Sequence, residues 1–332
     1  MTEEPSPHRQ TRLFTTDEGE FDERKAKAEA LPVEDGELVD TDELADHQEY
    51  VEGRGVYDAR NRVNDLTGRE WKFATKSVIP EQYPPALQHD LRSQHGGQKP
   101  PRLCLALVQR FSKAGETVLD PFAGVGGTLL GASLAEYEGT GLRDAIGFER
   151  NRRWVDVYEE VLERENAERA ARGEGPLAEQ DLRCGDCADL VEGVETDAVD
   201  FLLTDVPYWN MDQVEQTRNE RETRDSKLGA FGDGDYESKA EWLDGMEERF
   251  RAFRRIVCDG GYVAVFIGDM YREQSYEMLS AELASRLTDA GYTMKANLVW
   301  YDPSKDLHVY GYPFSFVPSM VHQNVLVFRN ES

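Results

Sequence analysis

Lysine is scarce in this chain. Only 10 of its 38 basic side chains are lysine; 65 acidic ones leave a formal net charge of −27 over 332 residues. Cysteine is also rare, and four residues exclude a disulfide scaffold and suit a reducing, cytoplasmic setting. No apolar run approaches the roughly 18 residues that a membrane span needs. The opening MTEEPSPHRQ lacks the basic-then-apolar pattern of a secretory leader, so neither a membrane partner nor export is expected. The six histidines are scattered, none at ligand spacing to another, and no metal is expected. Against these shortages stand 39% hydrophobic and 10% aromatic residues, enough for a sizeable core and too many for wholesale disorder.

The acidity by itself argues against a nucleic-acid partner. An acid-rich, lysine-poor, arginine-retaining composition, however, resembles that of proteins from extreme halophiles. In molar salt the Debye length is only ~3 Å, so net charge stops reporting on partners. A net charge of −27 therefore does not exclude a nucleic-acid partner.

The first 70 residues hold 20 acids against 9 basic residues and few apolar clusters. Residues 1–69 are read as an acidic, largely flexible region with one short helix around Glu23–Ala30. From about Glu70 the pattern is globular. Pro100-Pro101 opens a helix whose face is Leu103, Leu107 and Phe111. Strands are expected at Thr117–Leu119, Asp144–Phe148, near Arg183, at Val199–Leu203 and at Tyr262–Asp269, with helices between them. One such helix carries Trp242, Met246, Phe250, Phe253 and Val257 and is stopped by Asp259-Gly260-Gly261. Another carries Tyr276, Leu279, Leu283 and Leu287. Two last strands, Ala296–Trp300 and Asn324–Phe328, have no helix between them. Strands alternating with helices imply an α/β fold, an open and mostly parallel sheet with helices on both faces, closed here by an antiparallel hairpin at one edge.

The run VLDPFAGVGGTLLGASL puts Asp120 at a strand end, followed by Gly124, Gly126 and Gly127 leading into a helix. Glycines there let the backbone approach a ligand closely, and in open α/β sheets ligands lie beyond the carboxyl ends of the strands. Glu149 ends the next strand, 25 residues after Gly124, where an acid can accept hydrogen bonds from ribose hydroxyls. The pattern is neither GxGxxG nor a P-loop, which disfavours phosphate cradling. It resembles the S-adenosylmethionine-binding motif of the amino-group methyltransferases. That resemblance implies a Rossmann-like fold and S-adenosylmethionine as cofactor. The turn through Pro121, Phe122, Ala123, Gly124, Gly126 and Thr128 would cradle its methionine part, with Asp120 near the ammonium. Glu149 would hold the ribose and Asp186 the adenine amino group. Cys184 and Cys187 make a CxxC around Asp186, but no second pair or nearby histidine supports zinc.

Asp205-Val206-Pro207-Tyr208 follows the fourth strand, 81 residues past Gly124. It resembles the [DNS]PP[YFW] motif of methyltransferases acting on exocyclic base amines, with Val206 in place of a proline. By that resemblance Asp205 and the Val206 carbonyl draw the amine toward tetrahedral geometry, Pro207 fixes the turn, and Tyr208 offers a stacking face. No metal is needed. The order, cofactor motif before tetrapeptide, differs from that of the permuted enzymes.

The flanks are softer. SQHGGQKPPRLCLALVQRFSKAGETVLD resembles the segment before the cofactor motif, in which Lys99-Pro100-Pro101 and the following helix close the pocket. Tyr310, Tyr312, Phe314 and Phe316 crowd one loop; packing the hairpin onto the sheet is preferred to stacking on bases. A small insert at about 211–241, with Arg218, Arg221, Arg224 and Lys227, is equally well read as a set of phosphate contacts or as a solvated loop. The catalytic domain is expected over 70–332. Its expected substrate is an adenine N6 or cytosine N4 amine in DNA. A tRNA guanine-N2 methyltransferase is the alternative, and a binding module that has lost catalysis the third reading.

Overall fold

The computed structural model describes residues 44–208, 236, 238–272, 274–303 and 305–331. The helix expected at Glu23–Ala30 and the basic cluster Arg218, Arg221, Arg224 and Lys227 fall outside them. Two compact units divide the chain.

The smaller unit includes residues 44–60 and 66–74. In it β1 (Gln48–Val51) and β2 (Gly55–Asp58) form an antiparallel hairpin, and α1 spans Gly68–Ala74. A capping box starts that helix. The Glu70 amide donates to Thr67 Oγ1 at 3.3 Å, and the Thr67 amide donates to Glu70 Oε2 at 2.8 Å. Arg54 grips Glu70 through two nitrogens, at 2.8 and 2.9 Å.

The larger unit takes residues 61–65 and 75–332. Its strands are β3 (Val78–Ile79), β4 (Thr117–Asp120), β5 (Asp144–Glu149), β6 (Asp181–Cys184), β7 (Val199–Asp205), β8 (Val257–Ile267), β11 (Tyr292–Tyr301) and β12 (His322–Asn330). They make one sheet in the order β3-β11-β12-β8-β7-β4-β5-β6. The short strands β9 (Met270–Arg272) and β10 (Ser275–Glu277) form a separate hairpin. Within the main sheet β12 is antiparallel to both neighbours, and every other pair is parallel. The terminal hairpin exists as expected, but its last strand enters between β8 and β11 instead of lying at the rim. Two residues of β3 cover the outer side of β11.

The helices are α2 (His89–Arg92), α3 (Pro101–Phe111), α4 (Gly127–Leu134), α5 (Arg152–Ala171), α6 (Cys187–Leu190), α7 (Lys239–Arg254) and α8 (Leu279–Asp289). They pack on both sheet faces, and the strands show why. Ala264 and Phe266 of β8 join the core that contains α3, α4 and α5. Val263, Val265 and Ile267 join the other, with α7 and α8. Alternate residues of a strand point to opposite faces, so a continuous apolar run serves two layers.

Two boundaries differ from the sequence reading. Val257 does not lie on the helix; α7 ends at Arg254 and Val257 begins β8. The Gly260-Gly261 pair expected as a stop sits inside that strand, beside a register irregularity between Val199 and Phe201. Gly260, at φ +81°, supplies a kink there that a side chain would strain. Tyr276 lies in β10, and the helix after it starts at Leu279. The third difference is at the hairpin loop. Tyr312, Phe314 and Phe316 are 80%, 95% and 93% exposed, so this loop does not pack onto the sheet.

Candidate active site

The strand β4 delivers Asp120 into the core, where it is only 5% exposed. Both carboxylate oxygens are occupied. Thr204 Oγ1 donates to Oδ1 at 2.6 Å, Thr128 Oγ1 to Oδ2 at 2.7 Å, and the Phe122 amide to Oδ1 at 3.2 Å. Burial outweighs these bonds and pushes its pKa up to about 6. The chain then turns back on itself. The Ala123 amide donates to the Phe148 carbonyl at 2.9 Å, and the Gly126 amide to the Ala123 carbonyl at 2.8 Å. Gly124 and Gly126 adopt φ +53° and +71°, the left-handed region that glycine enters without penalty. A Cβ on Gly126 would overlap the Tyr158 ring, and one on Gly127 would come 3.0 Å from the Lys99 carbonyl.

Glu149 closes β5. One oxygen accepts from the Gly124 amide at 2.9 Å, the other from the Asn151 amide at 2.7 Å. Burial raises its carboxyl above the usual range. Each oxygen keeps a lone pair beyond these bonds. Asp186 follows β6 and caps α6, accepting from the Ala188 amide at 2.9 Å.

The strand β7 ends on Asp205, and Val206 behind it is 1% exposed. The Pro207 carbonyl accepts the Trp242 indole N–H at 2.7 Å, which pins the turn to α7. The Tyr208 hydroxyl accepts from the Gly268 amide and, at 3.4 Å, from Gln323 Nε2. Its ring is thus held by the ends of β8 and β12. Lys99 reaches across and donates its ammonium to Asp205 Oδ2. Burial raises the Asp205 carboxyl, while Lys99 and, through space, Lys305 lower it.

These parts meet in one cavity. Asp120, Pro121, Phe122, Ala123, Gly124, Thr128, Glu149, Asp186, Asp205, Val206 and Pro207 all line it. Gly126 and Tyr208 are not among its lining residues; the first caps α4 and the second is tied to β8. Lys99, expected to close the pocket, also lines it, and so do His95, Trp154, Phe266 and Arg249, which the sequence did not mark as cavity groups. Only Lys99 carried a signal, the QKPP run before the helix. The His95 ring meets Trp154 edge-on at 5.0 Å and stands 3.0 Å from where a Gly124 Cβ would be. Burial and the nearby Lys99 and Arg92 lower its pKa to about 3, so it is neutral.

The cavity has hydrogen-bonding capacity to spare. Trp154 Nε1 and Asp205 Oδ1 are buried and have no hydrogen-bond partner among the described residues. One is a donor, the other an anionic acceptor, and buried polar atoms are rarely left so. With the glycine cradle and the two acids at the ends of β5 and β6, the donor set suits a nucleoside-bearing cationic ligand. It offers no metal site; among the described residues no group of three or more His, Cys, Asp or Glu could hold an ion.

A sheet of eight strands with one antiparallel insertion, flanked by helices and carrying a glycine turn on its first central strand, is the Rossmann-like methyltransferase fold. More narrowly, residues 27–160 match the model of the N6/N4 DNA methylase family. The match includes the glycine turn and Glu149 and stops short of Asp205. Among solved structures, TrmN from Thermus thermophilus is 16% identical over 72% of this chain and 52% of its own, at a TM-score of 0.42. A methyltransferase from Pyrococcus furiosus is 16% identical over 70% and 84%, at 0.36. A SAM-dependent methyltransferase from Methanosarcina mazei is 11% identical over 68% and 97%, at 0.39. The chain spans about half the length of the first structures it matches. No curated protein matches it.

Proposed function

We propose that the protein transfers a methyl group from S-adenosylmethionine to an exocyclic amine of a base in DNA, adenine N6 or cytosine N4. One observation carries this reading. The Asp205 carboxylate and the Phe122–Gly126 turn, at the ends of the adjacent parallel strands β7 and β4, open on the same cavity.

When bound, S-adenosylmethionine supplies a methyl group on a positively charged sulfur, which takes back the S–C electron pair on transfer. The turn from Asp120 to Thr128 holds the methionine end, Glu149 the ribose and Asp186 the adenine amine. An exocyclic base amine is a poor nucleophile, because its lone pair is delocalised into the ring. Asp205 and the Val206 carbonyl accept its two hydrogens and favour the geometry in which that lone pair forms the new N–C bond. The same two acceptors stabilise the positive charge that develops on nitrogen, and the surplus proton leaves by way of Asp205 to solvent. The Trp242 bond to Pro207 and the Gly268 bond to Tyr208 hold this turn ready before substrate arrives.

The test is incubation with labelled cofactor and either genomic DNA or total tRNA, in high salt, followed by nucleoside analysis. The expected result is label on N6-methyladenine or N4-methylcytosine from DNA. Label on guanine N2 of tRNA would replace the substrate while keeping the chemistry. Label in neither, with cofactor binding retained, would overturn the catalytic reading.

A further inference from the structure

The only direct hydrogen bond that the described residues make to the Asp205 carboxylate comes from Lys99. Lys99 lies outside the tetrapeptide, 106 positions upstream, and its side chain is only 10% exposed. Three further features fix it. Its carbonyl accepts Arg92 Nη2 at 2.6 Å. Pro100 and Pro101 follow at once and start α3 as N-cap and first residue. Its ammonium also stands 5.3 Å from the centre of the Phe266 ring, within cation–π range. A long cationic side chain seldom sits so deep unless a specific partner holds it.

We propose that Lys99 is a positioning residue that keeps Asp205 ionised in its partly buried site, so that the carboxylate can accept the substrate amine. The proposal rests on the function given above and concerns how that site is regulated by charge. The physical problem is clear. An isolated carboxylate taken out of water neutralises, and a neutral Asp205 would present a hydroxyl donor where an acceptor is needed. Burial is the largest influence on Asp205 and acts in that direction. The charges and titratable groups facing it come from several elements. Asp120 on β4 acts against its ionised form, while the phenol of Tyr208 just past β7, kept neutral by burial and by Asp205 itself, adds no opposing charge. Lys99 before α3 and Lys305 in the β11–β12 loop favour it, and of these two Lys99 is the one hydrogen-bonded to the carboxylate. One contact takes one of about four lone-pair directions on a carboxylate and leaves the others for substrate.

The experiment compares Lys99→Met and Lys99→Arg with the parent. In the parent, transfer to DNA should fall along an acid limb, where Asp205 protonates. Lys99→Met should move that acid limb upward by at least one pH unit, so that transfer at a given pH on the limb drops roughly tenfold and recovers as the pH is raised. Lys99→Arg should restore most of the parent profile. A uniform loss across the whole pH range, or an unmoved acid limb, would overturn the proposal. Infrared titration of the Asp205 carboxylate, assigned by difference against Asp205→Ala without cofactor, reads the same shift independently of activity. A shifted titration with no methyl transfer in the parent would sink the assigned reaction and keep the ion-pair role. An unshifted titration with active parent enzyme would do the reverse.

Discussion

Asp120 and Asp205 end neighbouring parallel strands, yet they are built for opposite ends. Asp120 spends both oxygens on Thr128, Thr204 and a backbone amide, all within the fold. Asp205 has one oxygen on Lys99 and the other without a partner. The first carboxylate is a tie between β4, α4 and β7. The second is a charge held in readiness. Two aspartates at equivalent strand ends thus differ through their partners, which come from distant parts of the chain.

The sharpest way to break this comparison is Asp205→Ala. Transfer should fall by roughly a thousandfold while cofactor affinity, measured calorimetrically, changes little. Transfer at the parent rate would show that the two aspartates are not divided as described. A pH series sharpens the other side. Asp120 favours its neutral form in the folded state, so its contribution to stability is full below its ordinary value near 3.8 and is lost as the pH rises through about 6. Two pKa units correspond to about 3 kcal/mol. In urea titrations between pH 4 and 7.5, Asp120→Asn should therefore lose less stability with rising pH than the parent; parallel curves would contradict this. Thr204→Val removes one hydroxyl from Asp120 and should cost about 1–2 kcal/mol in the same assay, with Asp205 chemistry largely intact. The smallest effect is expected far from both strand ends. Phe314→Ser, at a 95% exposed ring, should change the urea midpoint by less than about 0.5 kcal/mol. A large loss there would mean that the loop packs after all.

The Lys99 variants add the charge dimension to this comparison, since they alter Asp205 and leave the ties of Asp120 in place.

Much of this centre was legible in the linear chain. Asp120, the glycines and Glu149 stand at fixed distances because a strand, a tight turn and a helix are local objects. Val199–Leu203 read as a buried strand because a five-residue apolar run with no turn residue has few other uses. Failures came where local signals competed. Gly260-Gly261 looks like a helix stop, but it kinks a strand that the pairing with β7 and β12 holds together. Tyr276 matched the spacing of the next helix, yet it pairs with Tyr271 in a hairpin. The aromatic loop between β11 and β12 looked like core by composition, and its rings are in solvent.

The sequence by itself determined the alternation of strands and helices, the glycine turn and the acids that follow it, because each depends on residues close along the chain. Only the tertiary structure decided that β12 inserts between β8 and β11, that Thr204 ties down Asp120, and that Lys99 sits against Asp205. Those outcomes depend on which strand ends lie side by side, and hydrogen bonds and ion pairs between residues tens of positions apart leave no periodicity to read.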